Sequence, residues 1–500
     1  MSRSKSCRST KARSRRTEKC TKATPQGRTN KAAIKQINDW LVPETSIFDK
    51  TDFHGNIKWK PEQLAVQAVL WSWQETKHVT DAFDHSQEVC RSLGLKQIAN
   101  SYTSLLNALD RYHITFSSSL QRRFQELAQN VAGDYFRMGR WVLIGFDGSR
   151  TTTPRTISNE KAFCASNYGN GKRAKYGKKK SKGLRRKRIM ANPIQPQAPQ
   201  VWITMMWHMG LRVPWTWRLG PSNSSERGHV VEILDEEEFP PNTLFCGDAG
   251  FVGYPLWSKL LLAGHDFVVR VGANVKLLSE HADIKRKGGG IVLCWPKGQM
   301  EKGHPPLRLR LVNVTVGNTK MWLLTSVTDR SQLSVRGLIR VYQLRWGIEI
   351  EFRGLKQTLD KHHLRCRKSN RTLVELDWSI RSMAMAELIG FREQVSQPGR
   401  TDKRSQPMQV SYEPSNRSLA NVMRALRRAM RTIEQATVES SDLLQQLSEA
   451  TVQRYQRRSK QAARYRPKNP DKKALGEPTV TKIKAAQRKQ QSKIEKSLAA

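Results

Sequence analysis

A chain of 500 residues with 38% hydrophobic content has room for roughly two or three domains and at least one real core, which excludes a wholly disordered polymer. Its 87 Lys and Arg against 43 Asp and Glu leave a formal net charge of +44, an excess that would repel itself unless it met a polyanion, so nucleic acid is the first partner to consider. No lipidation motif or amphipathic anchor accompanies the charge, no window approaches the ~18 apolar residues of a spanning helix, and the seven cysteines are scattered without a C-x-x-C pair; a membrane protein, a disulfide framework and a zinc finger are all disfavoured.

Residues 1–36 hold twelve basic residues and a single acid, Glu18, and read as a basic tail, disordered when alone, with no apolar run that would make a signal peptide. From 37 to 135 the pattern turns helical. In PEQLAVQAVLWSW (61–73), Pro61 suits a first helical position and Leu64, Val69 and Trp73 mark an apolar face, so this stretch reads as an accessory helical domain, expected to bind DNA. Short apolar runs follow: WVLIGF (141–146), ending in Asp147-Gly148-Ser149, then VWITMMWHM (201–209) and RVPWTWRL (212–219). After a helical SERGHVVEILDEE comes TLFCG (243–247), ending in Asp248-Ala249-Gly250, then a helix near YPLWSKLLLAG and the strand DFVVRV (266–271). Strands alternating with helices predict an α/β catalytic domain with a mixed sheet over 136–395.

Two segments interrupt that domain. Residues 157–198 form a loop in which KRAKYGKKKSKGLRRKR (172–188) carries eleven basic residues in seventeen, too dense a run to join a packed core. Residues 273–328 read as a β-rich insertion. Beyond 396 the chain offers a polar linker, one amphipathic helix (Leu419, Val422, Leu426, Met430, Ile433) that could pair protomers, and a basic tail from about 452.

The stretch YQLRWGIEIEFRGLKQ (342–357) reads as one helix. At about 100° per residue, with Tyr342 at zero, Arg345 falls near 300°, Glu349 near 340°, Arg353 near 20° and Lys356 near 320°, whereas Glu351 lies near 180°. A separate stripe of Val341, Leu344, Ile348, Phe352, Leu355 and Leu359 would dock the helix on the core. Taken alone, the polar face is equally well explained by i,i+4 salt bridges among Arg345, Glu349 and Arg353. Asp147 and Asp248, each at the end of an apolar run, change the balance. Two strand-end aspartates and an inward-facing Glu349 make an oxygen-only set suited to Mg²⁺ or Mn²⁺, and two such ions about 3.5–4 Å apart can drive an in-line phosphodiester displacement. Arg345, Arg353 and Lys356 would clamp the flanking phosphates.

Tyr342-x2-Arg345-x3-Glu349-x6-Lys356 resembles the complete YREK signature of a large family of bacterial insertion-sequence transposases, DDE enzymes with a ribonuclease H-like core. Asp147 in FDGSR and Asp248 in CGDAGF stand where that family keeps its first two catalytic aspartates, and the 273–328 segment corresponds to its β-rich insertion. The resemblance implies metal-dependent cleavage at the ends of an element and transfer of the freed 3′-hydroxyl into target DNA. It implies two Mg²⁺ (or Mn²⁺) ions on Asp147, Asp248 and Glu349, and phosphate contacts from Tyr342, Arg345 and Lys356. Double-stranded DNA, as terminal inverted repeats and as target, would be the partner of a homodimer in the synaptic complex of a cytoplasmic, nucleoid-associated protein. Some relatives hold a flipped base on an aromatic residue of the insertion; Trp295 and Trp322 lie in that region, although a core role is the commoner one for a tryptophan. Two other readings stay open at this point: a catalytically silent DNA-binding derivative of a transposase, and a ribonuclease H-like nuclease or resolvase.

Overall fold

The computed structural model describes residues 29–164, 198–396, 416–435, 441–452 and 475–499, apart from positions 46, 58, 97, 98, 282 and 318. The most basic segments, at 1–28, 165–197 and 453–474, lie outside the described residues, and with them the expectations placed on the 172–188 run, on most of the N-terminal tail and on part of the C-terminal one.

Ten strands form one mixed sheet: β1 (Val142–Thr152), β2 (Gln200–His208), β3 (Val213–Gly220), β4 (Thr243–Gly247), β5 (Asp266–Val271), β6 (Lys276–Ser279), β7 (Gly289–Cys294), β8 (Leu307–Val316), β9 (Thr319–Thr325) and β10 (Thr479–Lys482), in the order β10-β6-β7-β8-β9-β5-β4-β1-β2-β3. β1, β2 and β3 form an antiparallel meander, while β4 runs parallel to both β1 and β5. The short runs TLFCG and DFVVRV become β4 and β5 with the expected ends, since their apolar residues are buried to both sides as inner strands of the sheet while Asp266 and Arg270 stay partly exposed. The 273–328 segment carries β6 to β9. It continues the same sheet, since β9 pairs antiparallel with β5.

The helices are α1 (Asn30–Leu41), α2 (Pro61–Trp73), α3 (Val79–Ser92), α4 (Tyr102–Arg111), α5 (His113–Ala132), α6 (Ile157–Phe163), α7 (Glu226–Glu236), α8 (Tyr254–Leu262), α9 (Lys297–Glu301), α10 (Val335–Leu344), α11 (Gly347–Arg353), α12 (Ser369–Val395), α13 (Leu419–Gln435), α14 (Leu443–Ser448) and α15 (Ala485–Ala499). The 27-residue α12 is buried along most of its length and is the post around which α2, α4, α5, α13 and α14 pack. Trp73 at the end of α2 donates its indole N–H to the Ser382 carbonyl at 2.9 Å, locking that helix to the post.

Four expectations need correction. Helix α1 begins inside the stretch read as a tail: the Thr29 side chain caps it by accepting from the Ala32 amide, and Ala33, Ile34, Ile37 and Leu41 give it a buried stripe that the surrounding lysines mask. The N-terminal helices do not form an accessory domain, for their apolar residues join one continuous core with the sheet and with α12 and α13. In particular α2 is buried from Leu64 to Trp73 on every side, not on one face. The amphipathic α13 turns Leu419, Val422, Leu426, Met430 and Ile433 into that same core, so its apolar stripe is covered by its own chain and offers no surface for pairing protomers. Finally, residues 479–482 return as an edge strand beside β6, preceding α15, where a continuous basic tail was expected.

Candidate active site

The first two aspartates are brought together by strand register. Gly145 in β1 pairs with Cys246 in β4, and each strand reaches its aspartate two residues later. Parallel neighbours about 4.8 Å apart with a shared side-chain period therefore present Asp147 and Asp248 side by side on one face of the sheet. Both carboxylates also fix local backbone: Asp147 Oδ1 accepts the Gly148 amide at 2.8 Å, and Asp248 Oδ1 accepts the Gly250 amide at 2.7 Å.

Glu349 comes from α11, and its arrival depends on a glycine. A Cβ on Gly347 would lie 1.9 Å from the Trp207 ring of β2, and Trp207 is fully buried, so only glycine lets this helix settle onto the sheet. The expected single helix over 342–357 is instead built in three parts: α10 ends at Leu344, α11 starts at Gly347, and Gly354–Thr358 forms a π-type turn. Backbone angles at Arg345, Trp346 and Gly354 stay helical, so the parts run nearly end to end and the assignment of faces survives. Val341, Ile348, Phe352, Leu355 and Leu359 are buried as the apolar stripe requires. Glu351 points away from the cleft, 1% exposed and paired with Arg212 at 3.2 Å.

Arg345 links the carboxylates. Its guanidinium reaches Asp147 Oδ2 at 3.9 Å and Glu349 Oε1 at 3.5 Å and lies over the Tyr342 ring, 5.3 Å from its centre. Lys356 donates to Ser149 Oγ at 2.7 Å, tying the π-type turn to the strand that carries Asp147. Arg353 is exposed. Tyr342, expected to touch phosphate directly, is 1% exposed, so in this structure it acts from beneath, as a platform for Arg345. Trp295 and Trp322 are also buried, and the Trp295 indole N–H donates to the His304 carbonyl at 2.7 Å; neither offers a free ring face to a base.

Sequence reading missed one acidic neighbour. Glu226, the first residue of α7, brings its carboxylate against Gly148 and Gly250, the glycines that follow the two aspartates. The only sequence signal was an acid just after the Ser225 cap, a feature of ordinary helix starts. The electrostatics record the crowding. Burial pushes Asp147 up to about 6, with Asp248 and Glu349 adding to the rise while the Gly148 amide and Arg345 oppose it. Glu226 is pushed up to about 7 by burial and then by Asp147 and Asp248. Burial also raises Tyr342 and lowers Lys356.

Asp147, Asp248, Glu349 and Glu226 give the cleft an oxygen-only donor set with no His or Cys, the chemistry of a hard divalent cation. Gly148 and Gly250, by lacking a Cβ, leave room for the Glu226 carboxylate beside the two aspartates. Among the described residues no group of three His, Cys, Asp or Glu side chains is disposed to hold an ion as it stands, and the bridging of Asp147 and Glu349 by Arg345 is a physical reason for that.

Residues 208–385, which include Asp248, Tyr342, Arg345, Glu349 and Lys356, match the family model for a transposase DDE domain. A curated relative, transposase InsG for insertion sequence element IS4 from Escherichia coli (strain K12), is 26% identical over 250 residues, 48% of this chain and 50% of that one. The chain thus spans about half the length of this relative. A solved structure, the piggyBac transposase synaptic complex with hairpin DNA, aligns over 84% of this chain and 83% of its own at 13% identity and a TM-score of 0.35. No helix among the described residues is long and apolar enough to cross a membrane.

Proposed function

We propose that this protein is a DDE-type DNA transposase that cuts double-stranded DNA at the ends of an insertion element and joins the freed 3′-hydroxyl to target DNA. The observation that carries the reading is the convergence of Asp147, Asp248 and Glu349 from β1, the end of β4 and α11, the last two residues lying within the region that matches a transposase DDE domain. The strand order β3-β2-β1-β4-β5, with its antiparallel meander joined to two parallel strands, supports a ribonuclease H-like core.

In this reading Asp147, Asp248 and Glu349 hold two Mg²⁺ or Mn²⁺ ions. Bound there, the ions would activate the attacking water or 3′-hydroxyl and stabilise the leaving oxygen. Arg345, seated on Tyr342, orients Asp147 and Glu349 and neutralises part of their charge. Lys356 and the exposed Arg353 face the phosphates beside the scissile bond. The basic segments at 1–28, 165–197 and 453–474 supply sequence-independent backbone attraction, in keeping with the net charge of +44. Processing two element ends together calls for at least two protomers, and a homodimer is the simplest assembly.

The test is strand cleavage of duplexes carrying the inverted repeats that flank the coding region. Cleavage that requires Mg²⁺ and those ends, and that is lost in Asp147→Asn, supports the transposase. Tight binding without metal-dependent cutting would instead mark a silent derivative, and cutting directed by branched junctions would mark a resolvase.

A further inference from the structure

Helix α15 is pinned to the fold at one end and adds nothing to the core. Strand β10 pairs with β6, the Ile483 amide donates to the Ser279 carbonyl at 2.9 Å, and the Ile483 side chain is buried, so the chain is fixed to the 273–328 segment just before α15 begins. From 485 to 496 every residue of the helix is exposed or at most half-buried. A row of lysines is ordinarily a solvated face and needs no partner. Two observations set α15 apart. The first is the arrangement of its faces. At about 100° per residue, with Lys489 at zero, Lys493 falls near 40° and Lys496 near 340°, whereas the half-buried Gln487, Gln490 and Ile494 fall between about 100° and 160°. The glutamine face is the one that meets the protein, for the Gln490 side chain donates to the Met300 carbonyl of α9 at 3.0 Å. The three exposed lysines therefore form one stripe, roughly 10 Å long, on the far side of the helix.

The second observation is that the stripe is unbalanced. Lys489 and Lys493 stand four residues apart and Lys493 and Lys496 three apart, spacings at which like charges repel on a helix. None of the three forms an ion pair among the described residues. The one acid of α15, Glu495, lies near 240° on the same wheel and accepts from the Gln491 side chain at 2.8 Å. A helix of 15 residues without an apolar face is marginal in water, and one whose charges repel along a single stripe is held more firmly when a polyanion lies against it. Its place fits a duplex engaged at the cleft. One open cavity of about 870 Å³ is walled both by Gly250, beside Asp248, and by Thr481 of β10, with Lys276 and Lys297 along it and no acid in its lining.

We propose that the Lys489/Lys493/Lys496 stripe of α15 is a docking face for the sugar–phosphate backbone of duplex DNA. The proposal rests on DNA as the partner of this protein and adds a contact face outside the catalytic cleft. Three ammonium groups stepping along one side of a helix complement the regular charges of a phosphate backbone. A stripe made only of lysine supplies attraction and positioning and no readout of base sequence.

The experiment is binding of the full chain to a short random-sequence duplex, followed by fluorescence anisotropy from low to high NaCl. The triple variant Lys489→Gln/Lys493→Gln/Lys496→Gln should reduce the slope of log K against log salt by about two to three, while Lys489→Arg/Lys493→Arg/Lys496→Arg keeps the wild-type slope. Lys31→Gln/Lys35→Gln/Lys50→Gln makes the same change in net charge at exposed lysines of the N-terminal region and should leave the slope unchanged. Because α15 buries nothing from 485 to 496, the α15 Gln variant should melt with the wild type, and hydrogen exchange of the α15 amides in the wild type should slow when the duplex is added. A wild-type slope in the α15 Gln variant, or an equal fall in both Gln variants, overturns the assignment and leaves DNA binding by the rest of the chain standing. Weakened binding of the α15 Gln variant to phosphatidylserine vesicles but not to the duplex gives the face to a lipid surface and overturns it as well. A wild-type chain with no affinity for the duplex overturns both the assignment and the reading of DNA as partner.

Discussion

Glu349 and Glu351 lie two residues apart on one short helix and have opposite fates. Glu351 is 1% exposed, with its Oε1 bonded to Arg212, and sits in a dry cluster where Arg417 pairs with Glu387 and donates to the Leu211 carbonyl at 2.7 Å. Burial and then Glu387 raise its carboxyl on balance, against the pull of Arg212 and Arg417. Glu349 has a side chain 45% exposed and shares one arginine with Asp147, beside Asp248 and Glu226. The difference teaches that an acidic residue type decides little. A carboxylate buried against an arginine holds the fold together, and one half-exposed at the edge of a cleft is available for a ligand.

The contrast can be broken most severely from its buried side. Glu351→Ala removes a buried ion pair with Arg212 and should lower unfolding stability by about 3–5 kcal/mol in urea titration, while Glu349→Ala should stay within about 0.5 kcal/mol of wild type. Next in size, Asp147→Asn or Asp248→Asn should slow Mg²⁺-dependent strand cleavage by roughly a hundredfold to a thousandfold with no loss of melting temperature. Gly347→Ala forces a methyl into Trp207 and should cost about 1–3 kcal/mol through overpacking, and by lifting α11 it should also reduce cleavage. On the proposed phosphate role of Lys356, Lys356→Met should reduce the slope of log K against log salt by about one.

The smallest effect is electrostatic. In cation-free buffer Asp147 (3.8 raised to about 6) and Glu226 (4.5 raised to about 7) bind more protons folded than unfolded. Stability should therefore fall as pH rises from about 4 through about 7, the opposite of an ion-paired carboxylate. Asp147→Asn should flatten that fall, and added Mn²⁺ should reverse it; melting curves across pH measure both.

Much of this was legible in the chain itself. TLFCG stops one residue short of Asp248 as its apolar run suggests, but β1 does not end with WVLIGF: it runs on through Asp147 to Thr152, paired with β2 all the way, so Asp147 lies within a strand and not at its end. The apolar stripe from Val341 to Leu359 separates Glu349 from Glu351 by helical periodicity, and that separation holds although the helix is interrupted near Arg345 and Trp346. What stayed hidden depends on distant neighbours. Glu226 looks like any helix-start acid until Gly148 and Gly250 close around it. Gly347 looks like a weak helix residue until Trp207 lies beneath it. Tyr342 reads as a surface ligand by its angle, but the depth at which α10 meets the sheet buries it. Helix α1 and strand β10 lie within basic sequence whose composition conceals a few apolar contacts.

The most direct measurement is Mg²⁺-dependent cleavage of duplexes bearing the flanking inverted repeats by Glu349→Gln and Glu351→Gln side by side, below the melting temperature of both. The account predicts that Glu349→Gln is inactive while remaining as stable as wild type, and that Glu351→Gln is less stable but still cuts. An active Glu349→Gln together with a folded, inactive Glu351→Gln would contradict it.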